Sequence, residues 1–408
     1  MYAPPGASIS LETPAMLPQP PPYDPRALDA FVALVGARLW AQRIAQIGLQ
    51  AASGPRAALL IRQRHALELS IDRLRGTLTR PPSTAELHAA RLAVDAVVLS
   101  ETLAGGGRNG LRRQLRDALG HDKNLVSLFH VLQTAALQAS RGFAVTFAGL
   151  EYGAPYDLLI ASGRQEAEIA CDVVSAEEGR LVPRGAFSSL ADRLDRHVRA
   201  WLAANPGSHL LKMTLPHGLN DAAVPAVQAR ICRMLAQHSR RDHDAAAVLH
   251  LDPFNPAGRP GEDASMAWLR REFGPEANLA VTSDNHGIFV MMARAGRTDE
   301  VGRVVRDRLF ELLPSRLSGR RPGILAMFID DTDRREWAIL RETLALEGEA
   351  RRFLAGKAAR PVIAVTCSSR FELFGAADAA AEGEVRFRNP AHPAAKAVAL
   401  APAILSSV

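Results

Sequence analysis

Apolar residues recur at helical spacing from residue 24 to about residue 120. Asp24-Pro25 supplies a helix N-cap followed by proline at the first helical position. The apolar positions that follow repeat every three or four residues: Leu28, Phe31, Val32, Val35, Leu39 and Trp40. Breaks at Ser53-Gly54-Pro55 and Pro81-Pro82, and a capping-box sequence at Ser83–Glu86, separate three such stretches. The pattern predicts a bundle or arm of antiparallel helices over 24–120. This arm would pack on its own chain, on a protein partner or on a second copy in a homodimer.

The periodicity changes near residue 122. An amphipathic helix over 125–137 is followed by predicted strands at Phe143–Leu150, Pro155–Ile160 and Ala167–Ser175. A long helix then leads to a fourth strand, His209–Leu215. Short turns between the first three strands favour antiparallel pairing, and a crossover helix favours a fourth strand parallel to the third. The predicted fold is therefore α/β, with a mixed sheet in the order αβββαβ.

The rest of the chain continues in the α/β pattern. Predicted helices at 223–239, 299–313 and 333–355 alternate with predicted strands, and a hairpin is expected across Ser283–Gly287. We therefore interpret 121–408 as one α/β domain with a C-terminal α/β extension. Residues 1–23 are proline-rich and are expected to form a disordered or polyproline II tail.

Composition changes this picture only slightly. The chain has 408 residues, of which 48% are hydrophobic, which suits one large domain or two. Its net charge is +6, and its cations are 45 Arg and 4 Lys. Arginine can hold phosphates in a bidentate manner, although an Ala- and Arg-rich chain is also typical of a GC-rich genome. Both explanations of the basic balance stay open.

The sequence predicts neither a secretory signal nor a membrane segment. The N-terminus has no basic and apolar regions of a secretory signal, and no apolar run approaches the ~18 residues that span a bilayer. The three cysteines are far apart and predict neither a disulfide framework nor a zinc site. We expect a cytoplasmic protein with no membrane segment.

One stretch carries residues with recognisable chemistry. It contains Pro155-Tyr156-Asp157, then Ala167-Glu168-Ile169-Ala170-Cys171-Asp172, then Ser175-Ala176-Glu177-Glu178-Gly179-Arg180. This stretch resembles the PD-(D/E)XK (restriction-endonuclease-like) superfamily, in which an aspartate opens the second strand, Glu-x-Lys lies on the third and a Ser…Gly-Arg turn follows. Asp157, Cys171 and Gly179-Arg180 fit that pattern. Ala170 stands in place of the glutamate and Asp172 in place of the lysine, so the resemblance predicts a degenerate active site.

The resemblance implies Mg²⁺-dependent phosphodiester hydrolysis, because carboxylates hold the metal and the metal activates water. Loss of the lysine would remove stabilisation of the developing negative charge. A rearranged site is the alternative. Strand side chains alternate, so Glu168 and Asp172 share a face. With Asp157 on the neighbouring strand, the three carboxylates could bind Mg²⁺ and serve as catalytic residues, with Lys212 on the fourth strand as the substitute lysine.

Nucleic acid is the partner that the resemblance implies, and Arg180 and Arg184 are the arginines expected to contact it. The leading hypothesis is a nuclease-like, catalytically impaired protein that binds nucleic acid or a nucleic-acid-associated partner. The alternatives are a non-enzymatic structural or assembly scaffold and an active Mg²⁺-dependent nuclease with a rearranged site. Lys212 within reach of Asp157 or Asp172 would favour the active nuclease.

Overall fold

The computed structural model describes residues 24–52, 54–120, 123–253, 277–332, 334–369 and 384–406. Within them, an N-terminal helical region is followed by a mixed α/β part that contains two mixed sheets. The predicted tail, 1–23, lies outside the described residues. The predicted division into a helical region and an α/β region is therefore confirmed.

The helical region contains more helices than the periodicity predicts. The described helices up to the first strand are α1 (Pro25–Val35), α2 (Ala37–Gln50), α3 (Pro55–Arg64), α4 (Ala66–Arg75), α5 (Thr84–Thr102), α6 (Gly105–Ala118) and α7 (Val126–Ser140). Gly36, with φ of 112°, breaks the first predicted helix in two. Gly105-Gly106-Gly107 resembles a helix end in the sequence, yet α6 begins there, because Leu111 and Leu115 bury its inner face.

The first sheet has the strand order β1-β2-β3-β9-β10-β11. Its strands are β1 (Ala144–Thr146), β2 (Leu158–Ser162), β3 (Gln165–Ser175), β9 (Gly323–Asp330), β10 (Val362–Ser369) and β11 (Val385–Arg388). The first three strands pair antiparallel, β3, β9 and β10 run parallel, and β11 returns antiparallel. The first strand is shorter than predicted, because residues 148–152 form helix α8 (Ala148–Tyr152).

The two faces of this sheet have different covers. Helix α7 packs on one face, and its core is continuous with the helical region, since Phe328 of β9 belongs to the same apolar cluster as Phe31 and Phe129. The other face is covered by α11 (Val301–Arg316), α12 (Arg334–Glu342) and α13 (Ala345–Leu354). A short helix, α14 (Ala401–Ile404), packs on the α7 side.

The second sheet has the order β5-β6-β4-β8-β7. Its strands are β4 (Gly207–Leu215), β5 (Arg241–His243), β6 (Val248–Pro253), β7 (Asn278–Asp284) and β8 (Gly287–Ala295), and helices α9 (Arg184–Ala204) and α10 (Val224–Ala236) cover one face. The predicted hairpin between β7 and β8 is confirmed. The predicted place of β4 beside β3 is wrong. β3 takes β9 as its parallel neighbour, and β4 pairs with β6 and β8.

The segment that forms the second sheet begins and ends at adjacent positions beside the first sheet. The Glu300 N–H donates to the Gly179 carbonyl at 2.8 Å, and the Leu181 N–H donates to the Asp299 carboxylate at 2.9 Å. Gly179 is required at this crossing, because a Cβ there would lie 2.5 Å from the Val301 Cα. Residues 181–299 are therefore an insertion between β3 and α11, here called the insert.

The insert also contacts the helical region. Asp192 of α9 accepts hydrogen bonds from the Arg56 and Ala57 N–H groups at the start of α3, at 3.1 and 3.0 Å. The Arg56 side chain pairs with Asp192 and Asp195 and donates to the Val281 carbonyl at 2.6 Å. An acidic side chain at a helix N-terminus is favourable, so this junction ties α3 to the insert.

Candidate functional site

The predicted carboxylates lie on one face of the first sheet. Glu168 stands opposite Leu159 of β2 and Gly323 of β9, and Asp172 stands opposite Met327. Asp157 immediately precedes β2, and its N–H donates to the Ile169 carbonyl at 3.0 Å. The predicted sharing of a face is therefore confirmed. This face is covered by α11, and it is α11 and the loop after it that determine what the carboxylates can do.

Asp157 is engaged by a cation and a backbone amide. Arg316, the last residue of α11, donates to the Asp157 Oδ2 at 2.5 Å, and the Cys171 N–H donates to the same oxygen at 2.7 Å. The same guanidinium nitrogen also reaches the Cys171 carbonyl at 3.3 Å. Burial raises the pKa of Asp157, and the charge of Arg316 acts in the opposite direction. Both donors stabilise the ionised carboxylate where it stands.

Asp172 pairs with Arg308 of α11. The Arg308 Nε donates to the Asp172 Oδ2 at 2.5 Å, and its Nη1 donates to Glu311 at 2.9 Å. The hydrogen bond to Asp172 is the main reason that the pKa of Arg308 is raised. A lysine at this position would face Arg308 with a like charge, so the strand and helix charges are matched to each other here.

Glu168 is fully buried and belongs to the connection between α11 and β9. The Ser318 N–H donates to the Glu168 Oε2 at 2.8 Å, the Ser318 hydroxyl donates to Oε1, and an Arg321 nitrogen lies 3.8 Å from Oε1. Its carboxylate therefore holds the loop that leads into β9. It is a structural anchor and does not open into a cleft.

These contacts do not fit a Mg²⁺ ion. Mg²⁺ requires free carboxylate oxygens in near-octahedral geometry and keeps several waters. Here the Oδ2 atoms of Asp157 and Asp172 already accept from arginines, and both oxygens of Glu168 accept from the loop after α11. Ala170 offers no ligand between them. Across the described parts of the chain, no group of three or more His, Cys, Asp or Glu side chains is arranged to hold a metal ion.

Lys212 lies away from these carboxylates. It is on β4 in the second sheet, and its Nζ donates to the Asp252 Oδ2 of β6 at 2.8 Å. The sequence interpretation placed Lys212 next to β3 because it assumed that the strand after the first crossover helix joins the same sheet. Since the insert forms its own sheet, Lys212 is not brought together with Asp157 or Asp172.

Arg180 and Arg184 lie in a partly buried ion cluster. The buried Arg180 guanidinium pairs with Glu177, donates to both Glu336 oxygens at 2.8 Å and reaches the Asp331 carbonyl at 2.9 Å. Arg184 pairs with the same Glu336, and its N–H donates to Glu177 at 2.7 Å. Burial raises the pKa of Glu177, and Arg180 opposes this. The cluster ties the start of the insert to α12 and does not leave Arg180 exposed to a phosphate backbone.

Sequence reasoning missed Arg308, Arg316 and Ser318. The helix that carries the two arginines is predicted at 299–313, but no motif assigns its side chains to β3. One signal was available: Asp172 is an acidic residue at a position where the resemblance expected a cation, and a partly buried acid needs a cation nearby.

A buried histidine of α7 packs against the opposite face of β3 and β9. His130 of α7 lies within 3.0 Å of the Ala326 carbonyl and packs against Phe328, with 5.5 Å between ring centroids. Burial lowers its pKa to about 4, although the Ala326 carbonyl and the charge of Asp172 oppose this. The imidazole is therefore neutral at physiological pH and donates to the carbonyl.

Among the described residues, no helix combines the length and the apolar character that crossing a bilayer requires. In comparisons with known proteins, no family model, no curated protein and no solved structure matches this chain.

Proposed function

We propose that this protein is a nuclease-like protein that has lost phosphodiester cleavage and retains nucleic-acid binding. The observation that carries this proposal is the arginine neutralisation of the β3 face: Arg316 holds Asp157 and Arg308 holds Asp172. In a metal-dependent nuclease, those carboxylate charges would be balanced by Mg²⁺. Here two arginines of the protein itself balance them.

The order of elements supports the nuclease-like part of the proposal. With the insert and the short helix α8 left out, α7, β1, β2, β3, α11 and β9 follow one another as αβββαβ. Three of the strands pair antiparallel, and the fourth is parallel to the third. This is the order that the resemblance to the PD-(D/E)XK superfamily implies. β9 takes the fourth position that the sequence interpretation gave to β4.

The chemistry supports the loss of cleavage. Hydrolysis needs a bound metal to stabilise charge on the phosphate and to generate a nucleophilic hydroxide. The side chains on this face offer paired carboxylates, Ala170 and no lysine. A phosphate group of a nucleic acid could not displace Arg308 or Arg316 from their aspartates without leaving partly buried carboxylates unpaired.

The test combines cleavage and binding on the same samples. Plasmid DNA and a short duplex are incubated with Mg²⁺ or Mn²⁺, and binding is followed by gel shift at several salt concentrations. We expect no cleavage and salt-sensitive binding. The matched variant is Asp157→Ala, which we expect to leave both results unchanged as long as it folds.

Two outcomes would overturn the proposal. Cleavage that disappears in Asp157→Ala would establish an active nuclease with a rearranged site. The absence of both cleavage and binding would favour the scaffold hypothesis, in which the fold serves assembly alone.

A further inference from the structure

Helix α6 presents a face of unpaired arginines. Its inner face buries Gly107, Leu111, Leu115 and Ala118, while Arg112, Arg113 and Arg116 are exposed. None of the three forms an ion pair with another described residue. The sole acidic residue of α6 is Asp117, which is itself exposed.

Arg108, on the same helix, has a structural role. Its Nε donates to the Ser100 carbonyl at 2.7 Å, and its Nη2 reaches the Leu103 carbonyl at 3.5 Å, at the C-terminal end of α5. A cation at the C-terminus of a helix is favourable. Arg108 thereby fixes α6 against α5, and this role is not shared by the three exposed arginines.

The three exposed arginines give the fold no comparable benefit. Arg112 and Arg116 are four residues apart, about 6 Å along the helix axis, and like charges at this spacing destabilise a helix. The contrast with the β3 face is direct, because Arg308 and Arg316 there are neutralised by aspartates. The outer face of α6 therefore carries three exposed positive charges that no acidic side chain among the described residues pairs.

We infer that the outer face of α6, defined by Arg112, Arg113 and Arg116, binds the phosphate backbone of duplex DNA. The inference rests on the proposed function and moves its binding surface from Arg180 and Arg184 to α6. Guanidinium groups pair with phosphate oxygens in a bidentate manner. The helix carries no aromatic side chain on which unpaired bases could stack, which favours a duplex over a single strand. The contacts go to phosphates, so binding is independent of sequence.

The experiment measures duplex binding by fluorescence anisotropy across a salt series. The test variant is Arg112→Gln/Arg113→Gln/Arg116→Gln. The matched control removes the same charge from exposed arginines elsewhere, Arg38→Gln/Arg193→Gln/Arg196→Gln. Circular dichroism and thermal unfolding establish that both variants keep the fold.

We expect the α6 variant to lose affinity by about ten- to a hundredfold at low salt, with the slope of log K against log[salt] reduced by about 2 to 3. The control variant should keep a slope close to that of the wild type. A duplex should compete better than a single strand of equal length or polyglutamate of equal charge.

The contrary results are distinguishable. If the wild type binds duplex and the α6 variant binds equally well, or the control loses as much, the assignment to α6 is wrong while the proposed function stands. If polyglutamate competes as well as DNA, the face binds acidic protein segments. If the wild type binds no nucleic acid, the proposed function fails as well.

Discussion

Charged side chains on the two sheets differ in their burial and in their partners. On the first, Glu168 has an exposed fraction of 0% and is held by Ser318 and Arg321 beneath a covering helix. On the second, Lys212 and Asp252 form an ion pair with exposed side-chain fractions of 36% and 47%. Buried charges must be paired because desolvation is costly, whereas exposed pairs contribute little. Whether a charged residue on a strand can belong to a functional site therefore depends on the element that covers that strand.

The largest expected effect comes from removing the buried acid. Glu168→Ala would leave the Ser318 N–H and hydroxyl without their acceptor and would open a cavity between β3 and the loop before β9. We expect the free energy of unfolding to fall by about 3 kcal/mol or more, measured by urea denaturation. A loss below about 1 kcal/mol would mean that Glu168 behaves like an exposed charge and that the contrast between the sheets is wrong.

The pH dependence of the free energy of unfolding tests the contrast between buried and exposed groups at His130. Its pKa is about 4 in the folded protein, against an ordinary value of 6.5. Between these values the unfolded chain binds the proton and the folded protein does not, so this contribution to stability is complete above pH 6.5 and is lost as pH falls towards 4. From pH 7 to pH 5 we expect a loss of about 2 kcal/mol that is missing in His130→Gln.

The control is His197→Gln on α9, since His197 is exposed. Urea denaturation of the three proteins at both pH values separates the histidine from the carboxylates that titrate in all of them. An equal pH dependence in wild type and His130→Gln would mean that the pKa of His130 is the same in the folded and unfolded states, so that burial does not hold the imidazole neutral.

The smallest expected effect is at Lys212. Lys212→Gln removes an exposed ion pair, and we expect the free energy of unfolding to change by less than about 0.5 kcal/mol. Duplex binding should also be unchanged, because Lys212 lies in the insert. Any loss of a metal-dependent cleavage activity in this variant would reinstate Lys212 as a catalytic residue.

Much of the first sheet could be predicted from the sequence, because local patterns specify it. Alternation on β3 placed Glu168 and Asp172 on one face, and the periodicity of 299–313 predicted the helix that covers them. The partner of β3 could not be predicted in the same way. A strand pattern gives the faces of a strand but not its neighbour, so β4 was preferred for being next in the chain.

The candidate site shows the same limit. Asp157 and Asp172 were identified from a motif, but their arginines come from about 136 to 159 residues further along the chain. Helix α6 was missed for a different reason. Three successive glycines have poor helix propensity, and tertiary packing of Leu111 and Leu115 overrides it.

The insert imposes an order on folding during synthesis. β3 and β9 are direct neighbours, yet Asp172 and Met327 are 155 positions apart in the chain. When β3 leaves the ribosome, the strand that will cover its open edge has not been made, and the whole insert is synthesised first. An unpaired strand edge invites intermolecular pairing. Until β9 arrives, this edge would be a target for chaperones, and a ribosome that stalls within the insert would release a chain prone to aggregation.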